Sequence, residues 1–231
     1  MQFKLNNNQE ISLEITRKPK LKNIYLRITP KGVVVSANRR MPLADIEAFV
    51  LSKSDWLIKH LKNQEAQEKK RLFVTGNEVY FKGKAFVLEC VEMQRHDVTL
   101  ELSEKKFLIQ MPHNTSQITL QELFNDFYKK EAIMHISPLV EDWVEKMKLY
   151  PKGIAFRKTT RQWGSCSSQN SLSFSYYLMK LPLHIIEYVV VHELAHIEEK
   201  NHSTNFWALV EEFLPNYQAL VKELREFERV F

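Results

Sequence analysis

Apolar and polar positions alternate along two stretches near the start of the chain, as they do in strands that bury one face. These stretches are residues 9–17 (QEISLEITR) and 23–37 (NIYLRITPKGVVVSA), and Pro30–Gly32 predicts a turn inside the second. A helical spacing of apolar residues then opens at Pro42 and fades into a charged segment, predicting one long helix over about 42–68. The first part of the chain therefore predicts short antiparallel strands followed by a helix.

The pattern returns to strands over about residues 72–112, with Gly76 and Gly83 at turns, and then to helix over about 119–149. Downstream, two short strand patterns (153–159 and 171–176) precede three helical patterns. These run from Pro182 to about Glu198, from the predicted N-cap Ser203 to before Pro215, and from there towards the end. We find no internal repeat at a fixed period.

Composition narrows the class of protein. Apolar residues make up 44% of the 231 positions and charged residues 26%, which is typical of a globular chain and not of a disordered one. The two cysteines, Cys90 and Cys166, are too few for a disulfide scaffold. No signal pattern opens the chain and no apolar run is long enough for a membrane span. We therefore expect a cytoplasmic protein without a membrane partner.

Positive charge is concentrated in the first third of the chain. Residues 1–75 hold 15 Lys and Arg against 7 Asp and Glu, although the whole chain carries only +5. The basic residues between 17 and 40 are able to attract nucleic acid or another anionic partner, or they simply form a solvated basic face. Both readings stay open from the sequence.

The sharpest motif is His192–His196 (HELAH), an H-E-x-x-H pattern followed by His202. On a helix, positions i and i+4 share one face, so both imidazoles reach one ion, and a carboxylate at the second position reaches a water bound to that ion. The six residues from His196 to His202 allow the chain to leave the helix and return a third imidazole. Three nitrogens plus a water form an open tetrahedral site, as in catalytic zinc enzymes. The β-branched run Val189–Val191 favours a strand, but a strand would place the two histidines about 13 Å apart.

Other chemically interesting residues give weaker signals. Gly164 is expected to supply a special backbone conformation, and Cys166 a small packed side chain in a turn. Arg161 and Trp163 are candidates for lining the cleft. Three tyrosines are candidates for stabilising an oxyanion, and the sequence does not choose among Tyr176, Tyr177 and Tyr217. The histidines without ligand spacing, expected to be structural, are His60, His96, His113, His135 and His184.

On these residues the chain resembles the YgjP-like metallopeptidase family, which is related to the SprT-like zinc proteases. The resemblance rests on Arg161 with Trp163–Ser167 (WGSCS), on Tyr188–His196 (YVVVHELAH), and on Asn201–Ser203 with Phe206 and Trp207. It is close over about 157–210; the family pattern has Arg directly before the Trp, whereas Gln162 intervenes here. The resemblance implies a zinc peptidase fold in which His192, His196 and His202 bind the metal and Glu193 is the base.

Metzincins share the ligand spacing but are excluded on two counts. They place Gly three residues after the second His, where this chain has Glu199, and they need a downstream Met, whereas none follows Met179. We therefore expect an α+β fold with a strand-rich N-terminal half and a zincin-like helical domain that carries a small antiparallel sheet and the H-E-x-x-H helix. The expected domains are 1–112 and 113–231.

The main hypothesis is a Zn²⁺-dependent peptidase acting on peptide or protein substrates, with Glu193 as general base. The first alternative is a nucleic-acid-associated protein, or a protease docked on DNA, that uses the basic N-terminal third. A second alternative is a structural metal-binding protein without turnover. The substrate and the oligomeric state are not determined by the sequence.

Overall fold

The computed structural model describes residues 1–29, 32–94 and 96–229, and the side chains of 64–71 lie outside the description. Pro30 and Lys31 of the predicted turn are therefore not covered. The chain divides into two compact units, Met1–Arg71 and Leu72–Phe231. Among the described residues, no helix combines the length and the apolarity needed to span a bilayer. The expected α+β class is confirmed.

The first unit is a four-stranded sheet with two helices. Its strands stand in the order β1-β2-β4-β3, with β2 and β4 parallel and the outer pairs antiparallel. The elements are β1 (Gln2–Lys4), β2 (Glu10–Lys18), β3 (Tyr25–Thr29), β4 (Gly32–Asn38), α1 (Leu43–Ser52) and α2 (Ser54–Arg71). The unit has a core of its own, formed by apolar side chains of the sheet and of both helices, such as Leu13, Val33, Val35, Ile46, Val50 and Leu57.

The single long helix expected over about 42–68 is wrong in one respect, because the helix breaks at Lys53. The N–H of Lys53 turns back to the carbonyl of Val50 at 3.1 Å, which tightens the last turn of α1 before α2 begins at Ser54. The serines that flank Lys53 are residues that favour helix ends over helix interiors. The charged segment 63–71 continues α2 to Arg71.

The second unit holds the remaining elements in one large core. They are β5 (Glu78–Phe81), β6 (Lys84–Glu92), β7 (Thr99–Leu102), β8 (Lys106–Met111), α3 (Gln117–Met147), β9 (Gly153–Arg157), β10 (Gly164–Cys166), β11 (Ser171–Ser175), a 3-10 helix (Tyr176–Lys180), α4 (Leu183–Ala195), α5 (Thr204–Phe213) and α6 (Tyr217–Glu228). Strands β5–β8 form one sheet, and the small sheet has the order β10-β11-β9. The small sheet was expected to be antiparallel, but β9 and β11 run parallel.

The sheet β5–β8 packs with the helices that follow it. The Tyr128 hydroxyl of α3 donates to the carbonyl of Tyr80 at 2.6 Å, and the N–H groups of Lys82 and Gly83 donate to the carbonyls of Met179 and Lys180 at 2.7 and 3.0 Å. The sequence led us to expect a domain boundary at residue 112, whereas the division into compact units falls after Arg71.

The two four-stranded sheets share one topology, which corrects the expectation of no internal repeat. The second sheet has the order β5-β6-β8-β7, with a parallel central pair and antiparallel outer pairs, and a helix follows as in the first unit. We call residues 2–71 the first repeat and residues 78–147 the second repeat. Pairs of buried residues lie 74 positions apart: Val33 and Phe107, Val35 and Ile109, Ile46 and Leu120, Val50 and Phe124.

The repeat is invisible at the level of residue identity. Of the 30 positions from Tyr25 to Ser54, only Leu26 and Lys31 carry the same residue 74 positions later. Strand pairing depends on which positions are apolar rather than on which apolar residue fills them, so the topology persists where identity does not.

Candidate metal centre

Helix α4 brings His192, Glu193 and His196 to one end of the large core. The rings of His192 and His196 lie one helical turn apart, with centroids separated by 5.0 Å. The β-branched run Val189–Val191 is helical because all three of its residues are buried, so packing of a core helix outweighs their strand propensity.

The third imidazole returns from the loop between α4 and α5. The chain leaves α4 in a tight turn, where the N–H of Ile197 donates to the carbonyl of Leu194 at 2.9 Å. It re-enters a helix at Ser203, whose side chain accepts from the N–H of Phe206, as expected for an N-cap. His202 thereby lies with its Nε2 3.0 Å from the Nε2 of His192. One ligand atom from each of the three histidines lies within 4.8 Å of the others.

The outer nitrogens of two rings have partners that orient them. His196 Nδ1 lies 2.9 Å from the carbonyl oxygen of Glu199, which can only accept, so Nδ1 carries the proton and Nε2 keeps its lone pair. His192 Nδ1 lies 3.2 Å from the Tyr188 hydroxyl. The ring of Phe206 stacks on His196 at 4.5 Å and meets the edges of the other two. Metal-binding histidines are commonly held in this way.

The electrostatics of the cluster keep the imidazoles of His192 and His196 neutral. Burial, together with the neighbouring His196 and His202, lowers the pKa of His192 to about 3. Burial also lowers the pKa of His196. Neutral imidazole is the form that binds a metal ion, so these two histidines are ready to coordinate without first losing protons.

Glu193 is buried beside the histidines, with 6% of its surface exposed. Burial raises the pKa of its carboxyl to about 8. Its Oε2 has no hydrogen-bond partner among the described residues. Burying a carboxylate oxygen without a hydrogen-bond partner costs folding free energy, so a purely structural role does not account for it. Such an oxygen is available to form a hydrogen bond with a group that enters the site.

Gly164 of β10 faces Glu193, for a reason that differs from the expected one. A Cβ at Gly164 would lie 2.5 Å from Cγ of Glu193, and the backbone of Gly164 is not in the left-handed region. The expectation of a special backbone conformation is therefore wrong: the glycine leaves room for the carboxylate. The sequence carries no signal for this contact, because the two residues are 29 positions apart.

The other candidate residues lie around the cluster in different ways. Arg161 and Trp163 line a separate cavity together with Tyr177, whose hydroxyl donates to Asn125 Oδ1 at 2.7 Å. Tyr176 is buried, and Tyr217 stacks on Trp207, which in turn stacks on His202. In the described part of the chain, none of these three hydroxyls forms a hydrogen bond with the histidines or with Glu193. Four of the structural histidines contact oxygens elsewhere, namely His60, His113, His135 and His184.

Two residues near the cluster were given no role by the sequence. Tyr188 sits four residues before His192, a spacing that would have suggested a shared helix face. Lys200 lies in the loop between the second and third histidines, and its Nζ contacts the carbonyl of Ser167 at 3.2 Å, Oδ1 of Asn170, and Sγ of Cys166 at 3.7 Å. Cys166 is a half-buried strand residue and not part of a turn, and burial raises the pKa of its thiol.

Comparison with known proteins adds a family match. The family described as "YgjP-like, metallopeptidase domain" matches residues 22–227. Two solved structures resemble part of the chain at 18% identity. They are the metallopeptidase zymogens of Pyrococcus abyssi abylysin (TM-score 0.38, 41% of this chain and 95% of that one) and of Methanocaldococcus jannaschii jannalysin (TM-score 0.37, 42% and 97%). No curated protein matches.

Proposed function

Because the chain belongs to the YgjP-like metallopeptidase family, we propose that it is a zinc-dependent peptidase in which Glu193 is the general base. The observation that carries the proposal is the meeting of three imidazoles and one buried carboxyl group at the end of α4. Both cysteines are free, which suits the reducing cytoplasm that we propose as its compartment.

The donor set fits zinc. Zinc–nitrogen bonds of about 2.0–2.1 Å at tetrahedral angles separate two ligand nitrogens by roughly 3.3 Å, and Nε2 of His192 and His202 are 3.0 Å apart. Neutral imidazole suits zinc better than calcium or magnesium, which prefer oxygen ligands. His192, His196 and His202 would hold the ion, and three protein ligands leave a fourth position for water or substrate.

A bound zinc ion lowers the pKa of a coordinated water to about 7 and polarises the substrate carbonyl. Within this chain, Glu193 receives the proton of the attacking water on its carboxylate and delivers it to the nitrogen of the leaving amine. Burial raises the pKa of its carboxyl, which makes the carboxylate form a stronger base than that of an exposed Glu, and the missing Cβ of Gly164 leaves the room that this side chain occupies. The edge strand β10 beside Glu193 offers backbone groups to an extended peptide, which favours peptides as substrates.

Metal content tests the ligand set. Wild-type protein purified without chelators should contain about one zinc per chain by elemental analysis, and His202→Ala should lose most of it. His184→Ala is the matched control, because His184 pairs with Glu223 outside the cluster. Zinc that is indifferent to His202 would overturn the ligand assignment.

Turnover tests the base. Glu193→Gln should retain zinc and lose cleavage of unfolded casein, whereas Glu198→Gln, an exposed neighbour, should retain both. Equal activity in Glu193→Gln and wild type would refute the mechanism. Zinc without turnover in the wild type would favour a structural metal site instead.

A second candidate function, binding of nucleic acid by the basic part of the first repeat, is favoured by the loops that the structure brings together. Asn38 Nδ2 donates to the carbonyl of Leu21 at 2.9 Å, and the N–H of Arg39 to the carbonyl of Lys18 at 3.2 Å. One end of the sheet thus collects six cations: Arg17, Lys18, Lys20, Lys22, Arg39 and Arg40. In the second repeat, the position of Arg39 is taken by His113, which pairs with Glu92 at 2.6 Å.

The fold therefore does not itself require cations at this end of the sheet. Unopposed positive charge attracts the phosphates of nucleic acid. We expect the triple variant Lys18→Gln, Lys20→Gln, Lys22→Gln to bind a duplex DNA of 20 base pairs more weakly at 50 mM salt. The slope of log K against log salt should fall by about 2–3. A control triple at Lys105, Lys129 and Lys130, exposed lysines of the other unit, should change neither. Absence of binding by the wild type at 50 mM salt would remove this function.

A further inference from the structure

The segment before β10 forms one wall of a cavity that is separate from the histidine cluster. The cavity has a volume of about 280 Å³, and its walls include Arg161, Trp163, Tyr177, Lys180 and Glu228. Cavities that hold small-molecule ligands usually measure about 300–1,000 Å³. This one is therefore sized for a single side chain or chain end.

The cavity begins one residue before Gly164, the residue that faces the proposed base. Trp163 lines it, and the next residue, Gly164, faces Glu193. Because an extended residue spans about 3.3 Å, Arg161 lies at most ~10 Å along the chain from the position opposite Glu193. A peptide that follows β10 with its scissile bond at Glu193 would bring a group two or three residues from that bond to the cavity.

The walls are held in place before any substrate arrives. The Ser175 hydroxyl donates to the carbonyl of Thr159 at 2.7 Å, and its N–H donates to the carbonyl of Trp163 at 2.8 Å. The Trp163 indole N–H donates to Glu228 Oε1 at 3.1 Å, and Lys180 Nζ lies 4.9 Å above the ring of Tyr177. These contacts fix the segment 159–163 against β11 and α6.

The charge of the walls selects the occupant. Two cations, Arg161 and Lys180, face one carboxylate, Glu228, among the described residues that line the cavity. That carboxylate already accepts the indole N–H of Trp163, whereas the planar guanidinium of an arginine matches a carboxylate with two parallel hydrogen bonds. A carboxylate is therefore favoured over an amine.

We propose that this cavity is a subsite that binds a carboxylate of the peptide substrate, two or three residues from the scissile bond. The inference rests on the proposed peptidase function and adds its substrate preference. The carboxylate belongs either to an Asp or Glu side chain or to the C-terminus of the substrate, and both present the same group to Arg161.

The test is the cleavage pattern of the zinc-loaded full-length protein on a library of peptides derived from a whole proteome, with the products sequenced by mass spectrometry. We expect Asp and Glu to be enriched at one position two or three residues from the cut. Arg161→Ala should reduce that enrichment by about two- to fivefold, the effect of one exposed charge pair. Arg161→Glu should turn the preference toward Lys and Arg.

Controls separate the possible outcomes. Arg157→Ala, an exposed arginine of β9 that does not line the cavity, should leave the preference unchanged, and Lys180→Met provides a second wall variant if Arg161→Ala is poorly folded by circular dichroism. Cuts that cluster two or three residues from peptide C-termini, and that disappear when those termini are amidated, would assign the carboxylate to the chain end.

Two results would overturn the inference. Cleavage without any preference for a carboxylate, or with a preference that survives in both wall variants, would refute the subsite and leave the peptidase intact. Absence of cleavage by the wild type would refute the peptidase function, and the subsite with it.

Discussion

The chain contains the same arrangement of four strands followed by helix twice. The two repeats differ in the continuity of that helix and in the core to which it belongs. In the first repeat the helix breaks at Lys53, and the repeat has a core of its own. In the second, α3 runs unbroken for 31 residues and its buried face belongs to the core that also supports α4. The same topology thus serves once as a separate unit and once as the foundation of the candidate metal centre.

Comparison of the two repeats separates the features that the fold requires from those that are free to vary. Both repeats keep buried apolar residues at matching positions in the last strand and the first helical turns. Charge is not kept, because the basic sheet end of the first repeat is matched by a His113–Glu92 pair in the second. Features that the two repeats share are structural needs, and features that only one has are the candidates for function.

The largest expected contrast comes from equivalent core residues. Phe124→Ala should cost about 3–5 kcal/mol of unfolding free energy, because it empties a fully buried site that contacts Phe107 and Phe73. It should also weaken zinc retention, since metal binding is coupled to folding. Val50→Ala, 74 positions earlier, should cost about 2 kcal/mol and leave zinc unaffected. Urea unfolding and zinc content check both, and equal zinc loss in the two variants would contradict the separation of the units.

The next comparison is between two glycines, one in each unit, at which an added Cβ would clash with a neighbouring residue. Gly164→Ala should displace the Glu193 carboxylate and lower peptidase turnover by roughly 10²-fold while zinc stays bound. Gly32→Ala in the first repeat meets the Ser12 carbonyl at 2.6 Å and adopts a φ of +127°, so it should destabilise that repeat by about 1–3 kcal/mol. Turnover on casein and hydrogen exchange of each unit are the measurements. Retained turnover in Gly164→Ala would show that the space it leaves is not needed.

The pH dependence of stability should set the buried carboxylate apart from the rest of the metal-free protein. Because burial raises the pKa of Glu193 from 4.5 to about 8, the folded state holds a proton that the unfolded state releases between those values. This stabilising contribution is fully present below about pH 4.5 and is lost as pH rises through 8. Glu193→Gln should therefore be more stable than wild type at pH 9, relative to their difference at pH 4.5, by up to about 4 kcal/mol. A difference that does not vary with pH, in urea titrations with chelator present, would contradict the buried charge.

The smallest effect is expected from the hydroxyl behind His192. Tyr188→Phe removes the oxygen 3.2 Å from Nδ1 of His192 and should weaken zinc affinity about tenfold. Tyr25→Phe removes a hydroxyl from an exposed tyrosine of the first repeat and should leave the affinity unchanged. Competition with a chromogenic chelator measures both, and identical affinities in the two variants would remove Tyr188 from the metal centre.

Features that depend on local spacing were predictable from the sequence. The i, i+4 pair of histidines placed two imidazoles on one helix face, and Ser203 is the N-cap of α5 as expected. The metal and base roles of the four site residues remain predictions. Features that depend on contacts between distant segments were not predictable. The parallel pairing of β2 with β4, the repeat, and the fit of Gly164 against Glu193 all join residues about 20 or more positions apart.

The exposure of His202 has a consequence for the lifetime of a bound metal. His192 and His196 are half-buried on or at the end of a core helix, whereas His202 is exposed on a short loop that Lys200 ties to the carbonyl of Ser167. Loops of this kind open far more often than a core helix unfolds. Dissociation of zinc should then begin with detachment of this one ligand, and its rate constant should follow the opening of residues 197–203 while α4 stays folded. The opening rate of this loop would therefore set how fast the ion exchanges with the solvent.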